Sequence, residues 1–275
     1  MSYNSKASAL QQPQDPQKDS SSSQPPAYSS PAFRTTFGSV SLHMSDRIRF
    51  VQFPPEDIAV IKNTIQRSWA WGIQAERPYS VSYEFKLRGS PWSGSGTGSY
   101  AVPALILMRE VFASLYSMGW IMTASTDISR KKFDKDTLIF RKQPVPPPAA
   151  TWTAISFKTG DKLRFLGAPP ELIAAFSTLL KNMKLLQSEA VKDPRLQYHE
   201  FKLYGYPWAA TGEETMKTRV LILKLVELLE LHGWSLYASI DQNSGPSGDS
   251  NYSETDSWYC VKSSDWRPGS IILHR

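Results

Sequence analysis

One cysteine, Cys260, occurs in 275 residues. No intramolecular disulfide can form, and a chain of this size without one fits a reducing compartment. Histidines are few and scattered: His43, His199, His232 and His274. Cys-x-x-Cys and His-Glu-x-x-His are absent, and no carboxylate cluster stands in for them, so metal chemistry has little to draw on. Neither a Gly-x-Ser-x-Gly elbow nor a Walker loop occurs. No apolar run approaches the roughly 18 residues of a membrane span, and the first residues lack the basic-then-apolar layout of a secretory signal. These absences predict a non-enzymatic protein without metal or cofactor, in the cytoplasm, with the nucleus left open. A site assembled between two domains is the enzymatic arrangement such a search would miss.

What the chain does have is an internal duplication. Tyr83 to Trp92 reads Tyr-Glu-Phe-Lys-Leu-Arg-Gly-Ser-Pro-Trp, and His199 to Trp208 reads His-Glu-Phe-Lys-Leu-Tyr-Gly-Tyr-Pro-Trp, with seven of ten positions identical. Outward from there, Asp46-Arg-Ile-Arg-Phe50 matches Asp161-Lys-Leu-Arg-Phe165, and Pro54-Pro55-Glu56 matches Pro169-Pro170-Glu171. Gly119-Trp120 matches Gly233-Trp234, Ala124 to Asp127 matches Ala238 to Asp241, and Asp136-Thr137 matches Asp256-Ser257. The offset holds near 115 residues, which is domain-sized and too long for a solenoid unit. The expected organisation is a disordered Ser/Gln/Pro-rich tail over 1–38, a first repeat domain over 39–142, a Pro-rich linker over 143–150, a second repeat domain over 151–266 and a C-terminal tail over 267–275.

Patterning within one copy predicts its elements. Val40–Leu42 and Arg47–Val51 read as strands joined by a tight turn, and Pro54-Pro55-Glu56 opens a helix with Ile58, Ile61 and Ile65 on one face. Val81 to Leu87 alternates as a half-buried strand. A second helix follows, to Met118 in the first copy and over 215–232 in the second. Gly119 and Gly233 sit where left-handed caps belong. The second copy's helix is apolar almost all round and is expected to lie buried, for instance between the domains. Two more strands close the unit. The fold class predicted is α+β: two tandem copies of a β-β-α-β-α-β-β unit, each with an antiparallel or mixed sheet and helices on one face.

Candidate sites follow from what both copies retain. Gly89, Pro91 and Trp92, with Gly205, Pro207 and Trp208, form either a binding edge anchored by the tryptophans or a structural corner, the second being favoured. Asp127 and Asp241, each two residues after a serine, end a strand and read as ligand-binding or, preferably, as turn caps. Glu84 with Lys86, and Glu200 with Lys202, share a strand face, read as a solvated, cross-paired sheet face in preference to an acid–base pair. Charge is uneven: counting gives about +5 for residues 39–142 and about zero for 143–275. A shared polyanion site would make both copies basic, so nucleic acid is not the expected partner.

The sharpest linear signal is Pro25-Pro26-Ala27-Tyr28, the Pro-Pro-x-Tyr pattern of WW-domain ligands. It implies WW-domain proteins as partners, HECT-type ubiquitin ligases among them. A weaker pattern, Arg141 to Pro147, fits SH3 recognition but reads first as a spacer. The leading expectation is an interaction or adaptor protein with a duplicated core. Two alternatives stand beside it: a small-molecule or lipid-headgroup module with a pocket between the repeats, lined by Trp92, Trp208 and the apolar second helix, and an RNA- or polyanion-binding protein using the basic first repeat.

Overall fold

The computed structural model describes residues 35–93, 99–126, 128, 135–193, 196, 198–242 and 255–272. Pro25, Pro26, Tyr28 and Asp127 lie outside them. Thr35–Arg275 forms one compact unit.

The first copy runs β1 (Thr36–His43), β2 (Arg47–Val51), α1 (Pro55–Ser68), β3 (Ile73–Tyr79), β4 (Ser82–Leu87), α2 (Ala101–Ser117), β5 (Trp120–Thr126) and β6 (Thr137–Lys142). The second runs β7 (Ala150–Lys158), β8 (Lys162–Leu166), α3 (Pro170–Asn182), β9 (Leu186–Asp193), β10 (Tyr198–Leu203), α4 (Glu214–Leu231), β11 (Ser235–Ile240) and β12 (Ser257–Ser263). Each copy builds a six-stranded antiparallel sheet, ordered β3-β4-β2-β1-β6-β5 and β9-β10-β8-β7-β12-β11. The α+β class and the duplication are as expected, with one strand more per copy.

The added strands are β3 and β9, and each lies at a sheet edge. Both are exposed along nearly their whole length, so neither shows apolar alternation. Glu76, Arg77 and Pro78 lie on β3, and Glu189, Lys192 and Asp193 on β9. Charge and proline are what an unpaired edge needs to resist pairing with another chain.

Helices α1 and α3 start where the paired prolines place them, with Pro54 and Pro169 as extended caps. In the first copy, α1 and α2 cover one face of the sheet around Phe50, Phe85, Trp92, Trp120 and Phe140. In the second, α3 and α4 cover Phe165, Phe201, Leu203 and Cys260.

The second sheet is buried on both faces. Ile155 and Phe165 point toward α3 and α4, while Ala154, Leu166, Ala238 and Tyr259 join the core of the first copy. They pack on α2, which therefore lies between the two sheets. The layers run sheet, helices, sheet, helices. This corrects one expectation: the helix between the copies is α2, not α4. On its outward side α4 leaves Met216, Val220, Leu223 and Leu231 exposed.

Candidate functional site

The Pro-Trp corners are built alike in both copies. Trp92 N–H donates to the Ser45 carbonyl oxygen at 2.9 Å, and Trp208 N–H to the Gly160 carbonyl oxygen at 3.0 Å. The Trp92 indole donates to the Arg47 carbonyl oxygen at 3.0 Å, and the Trp208 indole to that of Lys162 at 2.8 Å. Each tryptophan thus latches the corner to the start of the neighbouring strand, β2 or β8. Gly89 has a φ of +79°, and a Cβ there would meet the Tyr100 ring. Pro91 and Trp92 are buried. In the second copy Pro207 and Trp208 are half-buried, and Gly205 also takes a positive φ of 71°. A shallow cleft of about 370 Å³ opens there, beside Tyr204, Tyr206, Pro207 and Leu221.

Glu84 and Glu200 occupy corresponding buried positions on β4 and β10. Glu84 is 1% exposed, and its carboxylate accepts from Arg47 at 2.6 Å, Arg49 at 2.8 Å and Arg77 at 3.0 Å. Burial opposes its ionisation, but the hydrogen bonds from Arg49 and Arg47 outweigh that and hold the carboxyl below its ordinary range. The Arg49 and Arg77 guanidinium groups lie over the Tyr79 ring at 4.1 and 5.1 Å. Glu200 accepts from Arg164 at 2.8 Å and from the Tyr198 hydroxyl at 2.7 Å, with Lys162 at 3.7 Å and Lys192 at 4.0 Å. Its burial is likewise outweighed, by the Tyr198 and Arg164 hydrogen bonds. Burial, together with that bond to Glu200, pushes the Tyr198 hydroxyl up. The expected cross-pairing is present, Arg49 lying opposite Glu84 and Arg164 opposite Glu200, but the expected solvation of these glutamates is corrected: both are buried. Lys86 reaches Asp46 at 3.8 Å, and the glutamates sit inside cationic cages.

At the strand ends, the serines bond to partners across the hairpin. Ser125 donates to Asp136 at 2.8 Å and Ser239 to Asp256 at 2.8 Å. The Asp241 backbone N–H donates to Asp136 Oδ2 at 3.2 Å, which ties the second copy to the first. Among the described residues no group of His, Cys, Asp and Glu could hold a metal ion. No described helix is long and apolar enough to cross a membrane.

Apart from Asp241, the residues that join the copies were not among the candidates. Phe112 and Tyr116 of α2 meet Trp152, Tyr237 and Tyr259 in a set of tilted and edge-on ring contacts, with centroids 4.9 to 5.9 Å apart. Tyr259 is fully buried and its hydroxyl donates to Gln242 Oε1. Gly167, at φ +74°, leaves room for the Arg109 guanidinium, which a Cβ would displace. In the first copy the positions matching Trp152 and Tyr237 are Phe37 and Thr123, so comparison of the copies held the signal. A cavity of about 550 Å³ opens between the copies, lined by Tyr116, Met122, Pro147, Leu236, Tyr237 and Trp266 among others. Of the lining expected for a pocket between the copies, the second helix contributes Tyr116, but neither Trp92 nor Trp208 belongs to the walls, which corrects that part of the expectation.

No curated protein matches the chain. A crystal structure of a conserved kinetoplastid-specific protein from Trypanosoma cruzi is similar at 16% identity, covering 40% of this chain and 97% of that one, with a TM-score of 0.28. One domain-family model matches twice, over residues 36–141 and 151–261. The chain belongs to that family and carries its domain in two tandem copies.

Proposed function

We propose that the protein is an interaction protein, with a rigid duplicated core and a WW-domain ligand at Pro25-Pro26-Ala27-Tyr28. The observation that carries this reading is α4. It carries six charged residues among its eighteen, yet it also leaves the apolar Met216, Val220 and Leu223 in solvent as a group. An exposed apolar group of that kind belongs in a contact. The polar groups both copies retain support the same reading. Glu84, Glu200, Trp92 and Trp208 are engaged in contacts that hold strands and corners together. The tail supplies a partner class: WW-domain proteins, including HECT-type ubiquitin ligases.

The test is a calorimetric titration of a purified WW domain into the full chain, Tyr28→Ala and Leu223→Glu. Binding to the wild type and to Leu223→Glu, and none to Tyr28→Ala, supports the tail as ligand. Equal binding to all three, or to none, sinks it.

The cavity between the copies favours a second reading, a small-molecule site. Its walls mix apolar groups such as Met122, Leu236 and the Tyr116 and Tyr237 rings with polar ones such as Gln143 and Asp265. A ligand-observed NMR fragment screen checks this, with Leu236→Trp as the filled control. Hits that bind both proteins equally count against it.

A further inference from the structure

The two copies are stacked in one direction, and the two ends of the stack differ. At one end the outer face of the first sheet is charged: Arg47, Arg49, Glu84 and Lys86 lie there. Such a face closes a stack in the way a polar terminal repeat does. At the other end α4 carries the counterpart of the surface that α2 uses to hold the second sheet, with Arg219 and Leu223 exposed and Val226 and Glu230 half-buried, Val226 partly against its own core. Aligning Gly119 with Gly233 matches Leu105, Arg109, Phe112 and Tyr116 of α2 with Arg219, Leu223, Val226 and Glu230 of α4. In α2 that stripe is the interface, where Arg109 lies against Gly167, Phe112 against Tyr259 and Tyr116 against Trp152. In α4 Leu223 is 61% exposed and Met216 56%.

We propose that α4 pairs with α4 of a second copy of this chain, antiparallel and about a twofold axis. The proposal rests on the reading of α4 as an interaction face. Met216, Arg219, Leu223, Val226 and Glu230 follow the alternating three-and-four spacing of a helix–helix seam. Arg219 and Glu230 are equally far from the midpoint between Leu223 and Val226. In an antiparallel pair, a residue before the midpoint meets the one equally far beyond it on the partner. Arg219 then faces the partner's Glu230, and Leu223 the partner's Val226. The twofold axis repeats both contacts, so the assembly closes as a dimer. A parallel pair would set Arg219 against Arg219 and Glu230 against Glu230, which like-charge repulsion opposes. A sheet docked on α4, as the second sheet docks on α2, would make no use of this symmetry. The charge pattern therefore selects a second copy over a foreign sheet.

Sedimentation velocity on the full chain tests this, from about 1 µM to about 200 µM, the range in which a small helix–helix interface exchanges. The wild type is expected to shift from monomer to dimer, and Leu223→Glu to stay monomeric. Arg219→Glu and Glu230→Arg each turn two attractions into repulsions and weaken association by roughly tenfold. The double variant Arg219→Glu/Glu230→Arg restores the pairing and recovers wild-type association. Glu230 has contacts within its own chain, so thermal unfolding is compared across the set, and if Glu230→Arg fails to fold, Arg219→Glu and Leu223→Glu carry the test: association as tight as wild type in either overturns the proposal. A wild type that stays monomeric over the whole range overturns the proposal. So does a double variant no tighter than the singles. Should the wild type be monomeric and still bind the WW domain through Tyr28, the dimer falls and the tail reading stands.

Discussion

The Tyr237 hydroxyl, in the second copy, accepts a 2.8 Å hydrogen bond from the Met122 backbone N–H in the first. Met122 lies on the edge strand β5, and Tyr237 on the corresponding edge strand β11, so the bond joins two sheet edges. The Tyr237 ring also packs on Trp152, Phe112 and Tyr116. Tyr237→Phe keeps the ring contacts and leaves the Met122 N–H without its partner. It is expected to cost about 1 kcal/mol. Tyr237→Ala removes both and is expected to cost about 3 kcal/mol. Urea unfolding followed by tryptophan fluorescence measures both. Equal costs for the two variants would mean that the hydroxyl, not the ring, holds the copies together.

Glu84 predicts a dependence on acid. Its carboxyl is held below the ordinary 4.5 by the Arg49 and Arg47 hydrogen bonds, against the opposing effect of burial. A depressed value in the fold means stability that is present above pH 4.5 and lost as pH falls through the lower folded value. Glu84→Gln should therefore lose stability at pH 7 and lose little more on acidification, so its curve and the wild type's converge below pH 4.5. The arginines are partly in water, so the loss at neutral pH is about 2 kcal/mol, below that of a fully buried pair. Parallel curves for the two proteins from pH 7 down would show that the cage contributes nothing through its charge.

The two corner tryptophans should differ in cost although their latches are alike. Trp92 is fully buried, so Trp92→Ala opens a cavity and is expected to cost about 4 kcal/mol. Trp208 is half-buried, and Trp208→Ala should cost about half as much. The phenylalanine variants lose the indole N–H and leave the Arg47 or Lys162 carbonyl oxygen without that donor, at about 1 kcal/mol each. Thermal unfolding of the four variants orders them. A Trp208→Ala cost matching that of Trp92→Ala would contradict the difference in burial.

Some of this architecture was legible in the sequence, and the reasons are local. The shared Glu-Phe-Lys-Leu-x-Gly-x-Pro-Trp segment fixes the duplication, because a strand, a positive-φ turn and a tryptophan latch each need their own residue types. Paired prolines mark the starts of α1 and α3. Strands β3 and β9 escaped because an edge strand exposed on both faces has no apolar period to read. The cages around Glu84 and Glu200 escaped for another reason. Alternation puts each glutamate on the polar face, and only the cross-strand register brings Arg49 and Arg77 to Glu84. The choice of helix between the copies is legible in helix composition, since α2 carries two charged residues in seventeen and α4 six in eighteen. It shows again in the sheet that docks, where Trp152, Tyr237 and Tyr259 replace Phe37, Thr123 and Ile139.

Cys260 supplies a native reporter of unfolding. It sits on β12 in the core of the second copy, fully buried, and burial alone pushes its thiol up from the ordinary 9.0. Only the thiolate reacts with a disulfide reagent, so the folded protein should label slowly at pH 8 and label at once in denaturant. A raised value in the fold also sets the sign of its effect on stability. The contribution is whole below pH 9, where the unfolded thiol keeps its proton, and is lost as pH rises above that. Labelling rates should therefore follow opening of the second copy and fall when α4, whose Leu225 and Leu229 share that core with Cys260, is held more firmly on the sheet. If the WW domain binds only the tail, it should leave the labelling rate unchanged. If α4 pairs with a second copy, the rate should drop as protein concentration rises, and Leu223→Glu should abolish that dependence. Rapid labelling of the native chain at pH 8, independent of concentration, would show that β12 opens without the rest of the fold.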